Sequence, residues 1–183
     1  MTKKILSFAL LSLLVSAASQ AQQLVYEHDD KPLFSIEFPN GWDIDLDFKS
    51  EAIEAGTFVE GEPLEIRIVE ANPSDGAHIW IGLWAVPGAA TLDDGVDYLT
   101  GLNADLFPDL ALGEPEERDL NGMEAIVSTG TATLDGEAVE MIITLFQPSE
   151  GTVAVGFYVG AVDVWRDYEA ELQAMVDSLR PVG

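Results

Sequence analysis

Apolar side chains recur at every second position over most of this chain, a rhythm that restricts it to sheet-rich folds in which strands carry different faces. The clearest stretch follows the Asn40-Gly41 turn, where Trp42, Ile44, Leu46 and Phe48 alternate with Asp43, Asp45 and Asp47. Such a strand has one dry face and one wet one. Leu24 to His28 and Leu33 to Phe38 predict a hairpin turning at Asp29, Asp30, Lys31 and Pro32. Leu64, Ile66 and Ile68 repeat the pattern. After a Pro73-Ser74-Asp75-Gly76 turn, His78 to Val86 is almost continuously apolar, which marks a central strand covered on both faces. Met123 to Leu134, Ala138 to Phe146 and Thr152 to Gly160 are separated by Asp135-Gly136 and Ser149-Glu150-Gly151, and predict a three-strand meander.

The period lengthens to that of a helix in two places. Thr91 and Asp94 form a capping box, and Leu92, Val96, Leu99, Leu102 and Leu106 follow at helical spacing up to Pro108. Asp163 is placed to cap a second helix, whose stripe of Trp165, Tyr168, Leu172, Met175, Val176 and Leu179 must lie on the sheet. Hairpin-length links favour antiparallel pairing, so the fold class is α+β, an antiparallel sheet with helices packed on its faces. The arrangement is an α/β/α sandwich. Lys49 to Pro63 is the least patterned part, either an irregular excursion or a short helix around Ala52 to Ala55.

The first residues have a different character. Lys3 and Lys4 precede an apolar run from Ile5 to Val15, and small residues at Ser19 and Ala21 frame a cleavage site after Ala21. Residues 1–21 thus read as a signal peptide, too short to span a bilayer, and 22–183 as one domain. The chain has no cysteine, so an acylated lipoprotein form is not expected. The periplasm or the external medium is the expected location. Of eight basic residues two lie in the leader, leaving six against thirty-three acids and a mature net charge of −27. That field repels nucleic acid and anionic lipid, and a carboxylate-rich surface suits saline surroundings.

Candidate sites are few. Asp43, Asp45 and Asp47, with Glu54 at the twelfth position, partly match a calcium loop, but Phe48 stands where the sharp turn needs glycine. Strand alternation points these carboxylates in parallel into water instead of converging them. His28 and His78 are the only histidines, each expected at a strand end or turn, and no nucleophile elbow, phosphate loop or dinucleotide fingerprint is present. Glu114, Glu116 and Glu117 read as a solvated strand edge or loop. Trp80, Trp84 and Trp165 are expected in the core. Trp42, just after a turn, is the candidate for a partly exposed aromatic that anchors a partner.

Phe34-Ser35-Ile36-Glu37-Phe38-Pro39-Asn40-Gly41-Trp42 is similar to the opening hairpin exit of the PsbP-like superfamily, and Tyr168 to Pro181, with its Ser178-Leu179 pair, is similar to that family's final helix. The superfamily groups an extrinsic photosystem II subunit, a Ran-binding nuclear import factor and many exported bacterial proteins, DcrB-like ones among them. The resemblance implies a sheet sandwiched between helices, and proteins that bind or scaffold instead of catalysing. It carries over no catalytic residue. The resulting expectation is an exported, monomeric, non-catalytic binding or accessory protein without a cofactor, whose partner is a protein or a small molecule. One alternative is a periplasmic hydrolase using a carboxylate pair, or a carboxylate with His28. Another is a weak calcium-binding module at Asp43, Asp45, Asp47 and Glu54.

Overall fold

The computed structural model describes residues 21–48, 66–107 and 109–182. Residues 1–20 of the expected 1–21 signal peptide, the unpatterned stretch from Lys49 to Pro63 and Glu54 within it lie outside them. Within the described residues the chain forms two antiparallel sheets and two helices.

The predicted hairpin is present as β1 (Gln22–His28) and β2 (Lys31–Phe38). Asp29 and Asp30 turn it with φ of 50° and 58°, a left-handed pair that aspartate tolerates better than most residues. β11 (Arg180–Pro181) adds to the other edge of β2, making a three-stranded sheet from the two ends of the domain.

The large sheet contains β3 (Trp42–Phe48), β4 (Ile68–Pro73), β5 (Ile79–Ala85), β6 (Ala111–Leu112), β7 (Glu116–Leu120), β8 (Met123–Leu134), β9 (Glu137–Ser149) and β10 (Thr152–Ala161). Its order is β3-β4-β5-β10-β9-β8-β6, with β7 also paired to β8. The meander is therefore intact, and β10 joins it to β5 in the middle of the sheet. Two-residue turns at Asn121-Gly122 and Asp135-Gly136 have both central residues at positive φ, the hand that suits the twist of the flanking strands.

Alternation along the central strands divides the core in two. On β10, Ala154 and Tyr158 face one cluster, while Val153, Val155, Phe157 and Val159 face the other. The second cluster is covered by α1 (Leu92–Leu106). Its capping box closes as expected: the Asp94 backbone N–H donates to Thr91 Oγ1 at 3.2 Å, and the Thr91 N–H donates to Asp94 Oδ2 at 2.9 Å. The Thr91 hydroxyl, which donates to Asp94 Oδ2 at 2.8 Å, holds the Asp94 carboxyl below the usual range, helped by the Ala90 and Thr91 N–H groups. Gly95 lets the helix approach the sheet, since a Cβ there would stand 3.0 Å from Leu145.

The opposite cluster is covered by α2 (Val162–Ser178) together with the small sheet. Trp165, Leu172, Met175 and Val176 form the buried stripe. The β1-β2 hairpin thus shares a layer with α2, which the expectation of one sheet between two helices did not contain. It is fastened there by the Glu37 N–H, which donates to Ser178 Oγ at 2.9 Å, and by Tyr26, whose hydroxyl accepts from the Ala85 N–H at 3.2 Å. The expected cap at Asp163 is corrected: α2 begins at Val162, Asp163 lies in its first turn, and the preceding Ala161 makes no side-chain cap. Ala161 instead donates its N–H to the His78 carbonyl at 3.0 Å, which sets where the strand ends and the helix begins.

Candidate functional site

α1 covers only part of its face of the large sheet. Beyond it, the end of β4, the start of β5, the end of β10 and the β8-β9 hairpin enclose an open groove of about 510 Å³. Trp80 lines it. The position of this indole follows from the backbone two residues on: a Cβ at Gly82 would lie 2.3 Å from the Trp80 ring, so the ring rests across the bare Gly82 backbone. The indole N–H donates to Glu70 Oε1 at 2.9 Å, and the Asn72 amide donates to the same oxygen at 3.3 Å. One face of the ring is therefore spent on the sheet, and the groove receives the rest.

Val139 and Val159 continue the apolar floor, and Leu134, 42% exposed, forms a wall. The polar rim holds His78, Asp135 and Glu137. His78 Nδ1 stands 3.9 Å from Glu137 Oε2, too far for a hydrogen bond, and both side chains are more than two-thirds open to solvent. Among the described residues no lysine or arginine lines the groove. Sequence patterning places Trp80 in the core; what reveals it as a groove wall is the small residue at Gly82 and the reach of α1.

Trp42, read as a partly exposed anchor, is 7% exposed. Its indole N–H donates to Glu171 Oε2 at 3.0 Å and its ring meets Tyr168 edge-on at 5.9 Å. Both partners come from α2, which folds over the edge strand and covers the indole. Trp84 and Trp165 are buried as expected. Asp43 accepts from the Ser74 hydroxyl at 2.8 Å, while Asp45 and the side chain of Leu46 face outward. Glu54 lies outside the described residues, and among those described no three histidine or acidic side chains are grouped to hold a metal ion. His28 is half-exposed at the hairpin turn, 3.8 Å from Asp29. Glu114, Glu116 and Glu117 are all exposed, and Arg118 pairs with Glu116 at 2.8 Å.

A second hollow of about 280 Å³ lies between α1 and β6, β8 and β9, lined by Val96, Leu99, Leu112 and Ile126. It is apolar, and Val96 and Leu112 stand 41% and 44% exposed at its rim.

Comparison with known proteins decides the fold. The cyanobacterial PsbP protein CyanoP of Synechocystis superposes with a TM-score of 0.60, covering 93% of this chain and 98% of its own at 14% identity. The chain has a PsbP-like fold. Two further PsbP-like matches have a TM-score of 0.53 each. PA94 of Pseudomonas aeruginosa, a protein of unknown function described as a putative regulator, covers 88% of this chain and 98% of its own at 13% identity. LpqN of Mycobacterium tuberculosis, described as involved in cell envelope biogenesis, covers 87% and 90% at 16% identity. No protein-family model and no curated protein matches the chain. In this PsbP-like domain, no helix among the described residues is long and apolar enough to cross a membrane.

Proposed function

We propose that this chain is an exported, non-catalytic binding or accessory protein that takes a small ligand in the groove beside Trp80. The observation that carries the proposal is the indole itself, held by Gly82 and Glu70 in a concavity of ligand size. A half-buried aromatic with a fixed orientation supplies contact area without an entropic cost of ordering. On the rim His78 and Glu137 stand open to water and 3.9 Å apart, beyond hydrogen-bonding reach, an arrangement suited to recognition. The PsbP-like neighbours include an envelope-biogenesis protein and a putative regulator, which agrees with an accessory role. Export is proposed from the leader, and its test is amino-terminal sequencing of the mature protein, expected to begin at Gln22.

The groove is tested by following the four indole N–H resonances of 15N-labelled protein against a panel of charged and neutral fragments, with Trp80→Phe used for assignment. Saturable movement of the Trp80 signal is expected for at least one fragment, with Trp84 and Trp165 unmoved. A panel that leaves Trp80 unmoved throughout would overturn the proposal.

A further inference from the structure

We infer that the groove takes a weakly hydrated organic cation of the alkylammonium class; this rests on the groove being the ligand site. Three observations converge. First, the groove has an indole face, and the quadrupole of an indole attracts cations. Glu70 accepts the indole N–H and adds electron density to that ring. Second, the fixed charges are all of one sign: Asp135 and Glu137 on the rim and Glu70 at the edge, with no lysine or arginine in the lining. Apart from His78, which stands 3.9 Å from Glu137, an anionic ligand would meet only carboxylates, and low-dielectric walls concentrate the field. Third, the floor between those charges is apolar, formed by Val139 and Val159 with Leu134 beside them.

The third observation separates an organic cation from an inorganic one. A hydrated metal ion needs several converging oxygens, and no such grouping exists among the described residues. An alkylated ammonium brings its own apolar surface, which buries against valine and indole while its charge remains within reach of the rim carboxylates. A sugar would use the indole and the carboxylates as acceptors, but would gain nothing from two like charges in the lining and a third at its edge.

The test is a matched pair at fixed ionic strength: choline, and 3,3-dimethylbutan-1-ol, which replaces its nitrogen by carbon. Choline should move the Trp80 indole resonance saturably, binding about tenfold tighter than the alcohol, the scale of one desolvated cation–π contact. Asp135→Asn with Glu137→Gln, both at exposed positions, should weaken choline several-fold and leave the alcohol unchanged. Equal affinity of the two ligands overturns the cation assignment and leaves the groove as a site for neutral ligands. Silence of Trp80 toward both also overturns it. The groove itself is rejected only if the whole fragment panel is silent as well.

Discussion

Two tyrosines in the same cluster of the core should respond to the same substitution with opposite sign. Tyr26, on β1 of the small sheet, and Tyr158, on β10 of the large one, are both buried in the core between them. The Tyr26 hydroxyl donates to the Arg67 carbonyl at 2.9 Å and accepts from the Ala85 N–H at 3.2 Å. Tyr158 is fully buried, its ring lying over Gly156, and its hydroxyl has no hydrogen-bond partner among the described residues. Burial raises both phenols above their ordinary pKa, Tyr158 far more than Tyr26, so both are neutral at working pH. Removing the Tyr26 hydroxyl loses two hydrogen bonds, at about 1 kcal/mol each. Removing the Tyr158 hydroxyl loses none and relieves the desolvation of an unpaired group, a gain of about 1 kcal/mol. Tyr26→Phe should therefore be destabilised by about 2 kcal/mol and Tyr158→Phe stabilised by about 1 kcal/mol. For a domain of this size that gap separates their melting temperatures by roughly 6–12 °C. Urea titration and thermal unfolding by circular dichroism would measure it. If Tyr158→Phe is destabilised as much as Tyr26→Phe, the Tyr158 hydroxyl is bonded and the reasoning fails.

Gly82→Ala should lift the Trp80 ring off the sheet and break its bond to Glu70, changing indole fluorescence and abolishing ligand shifts in the groove. Because the displaced atoms are the outer end of a half-buried side chain, the loss of stability should stay near 1 kcal/mol, the worth of that hydrogen bond. Asp75, Asp94 and Asp109 have carboxyls held below the usual range, foremost by the Ala77 N–H, the Thr91 hydroxyl and Thr133 respectively. A folded pKa below the unfolded one gives stability that is complete above the unfolded aspartate range and lost as pH falls through the folded value. The stability difference between wild type and Thr91→Ala should accordingly shrink in acid; a constant difference from pH 7 to pH 3 would refute the link. With six basic residues against thirty-three acids after residue 21, melting temperature should rise with sodium chloride from low to marine ionic strength, and a flat profile would sink the saline reading of the charge.

What could be read from the chain was whatever depends on near neighbours. The meander, the β1-β2 hairpin and the Thr91-Asp94 box each rest on residues a few positions apart, and all three are found where local chemistry places them. What escaped depends on distant partners. Trp42 follows a turn, and nothing nearby announces that Glu171, 129 positions away, will bond its indole from α2. Trp80 sits in an apolar run like any core residue, and its place in the groove depends on how far α1 extends across the sheet. The start of α2 escapes local reading because the Ala161 N–H bonds to the carbonyl of His78, just before β5, and this distant contact sets where β10 ends. β11 was hidden by Pro181, a helix-stop signal that is also acceptable on an edge strand.

The pairing of β11 with β2 has a consequence for how the molecule is made. Arg180 and Pro181 lie opposite Ser35 and Phe34, so nearly the whole domain separates the two sides of that contact. A chain emerging amino end first can assemble its hairpin early, but cannot clasp it until the final residues arrive. Ring closure of this kind comes late and slowly, because long loops must be ordered before the contact rewards them. Trimming from Arg180 onward should therefore leave the meander formed and the opening hairpin held more loosely, by its core packing and the Ser178 and Tyr26 bonds alone.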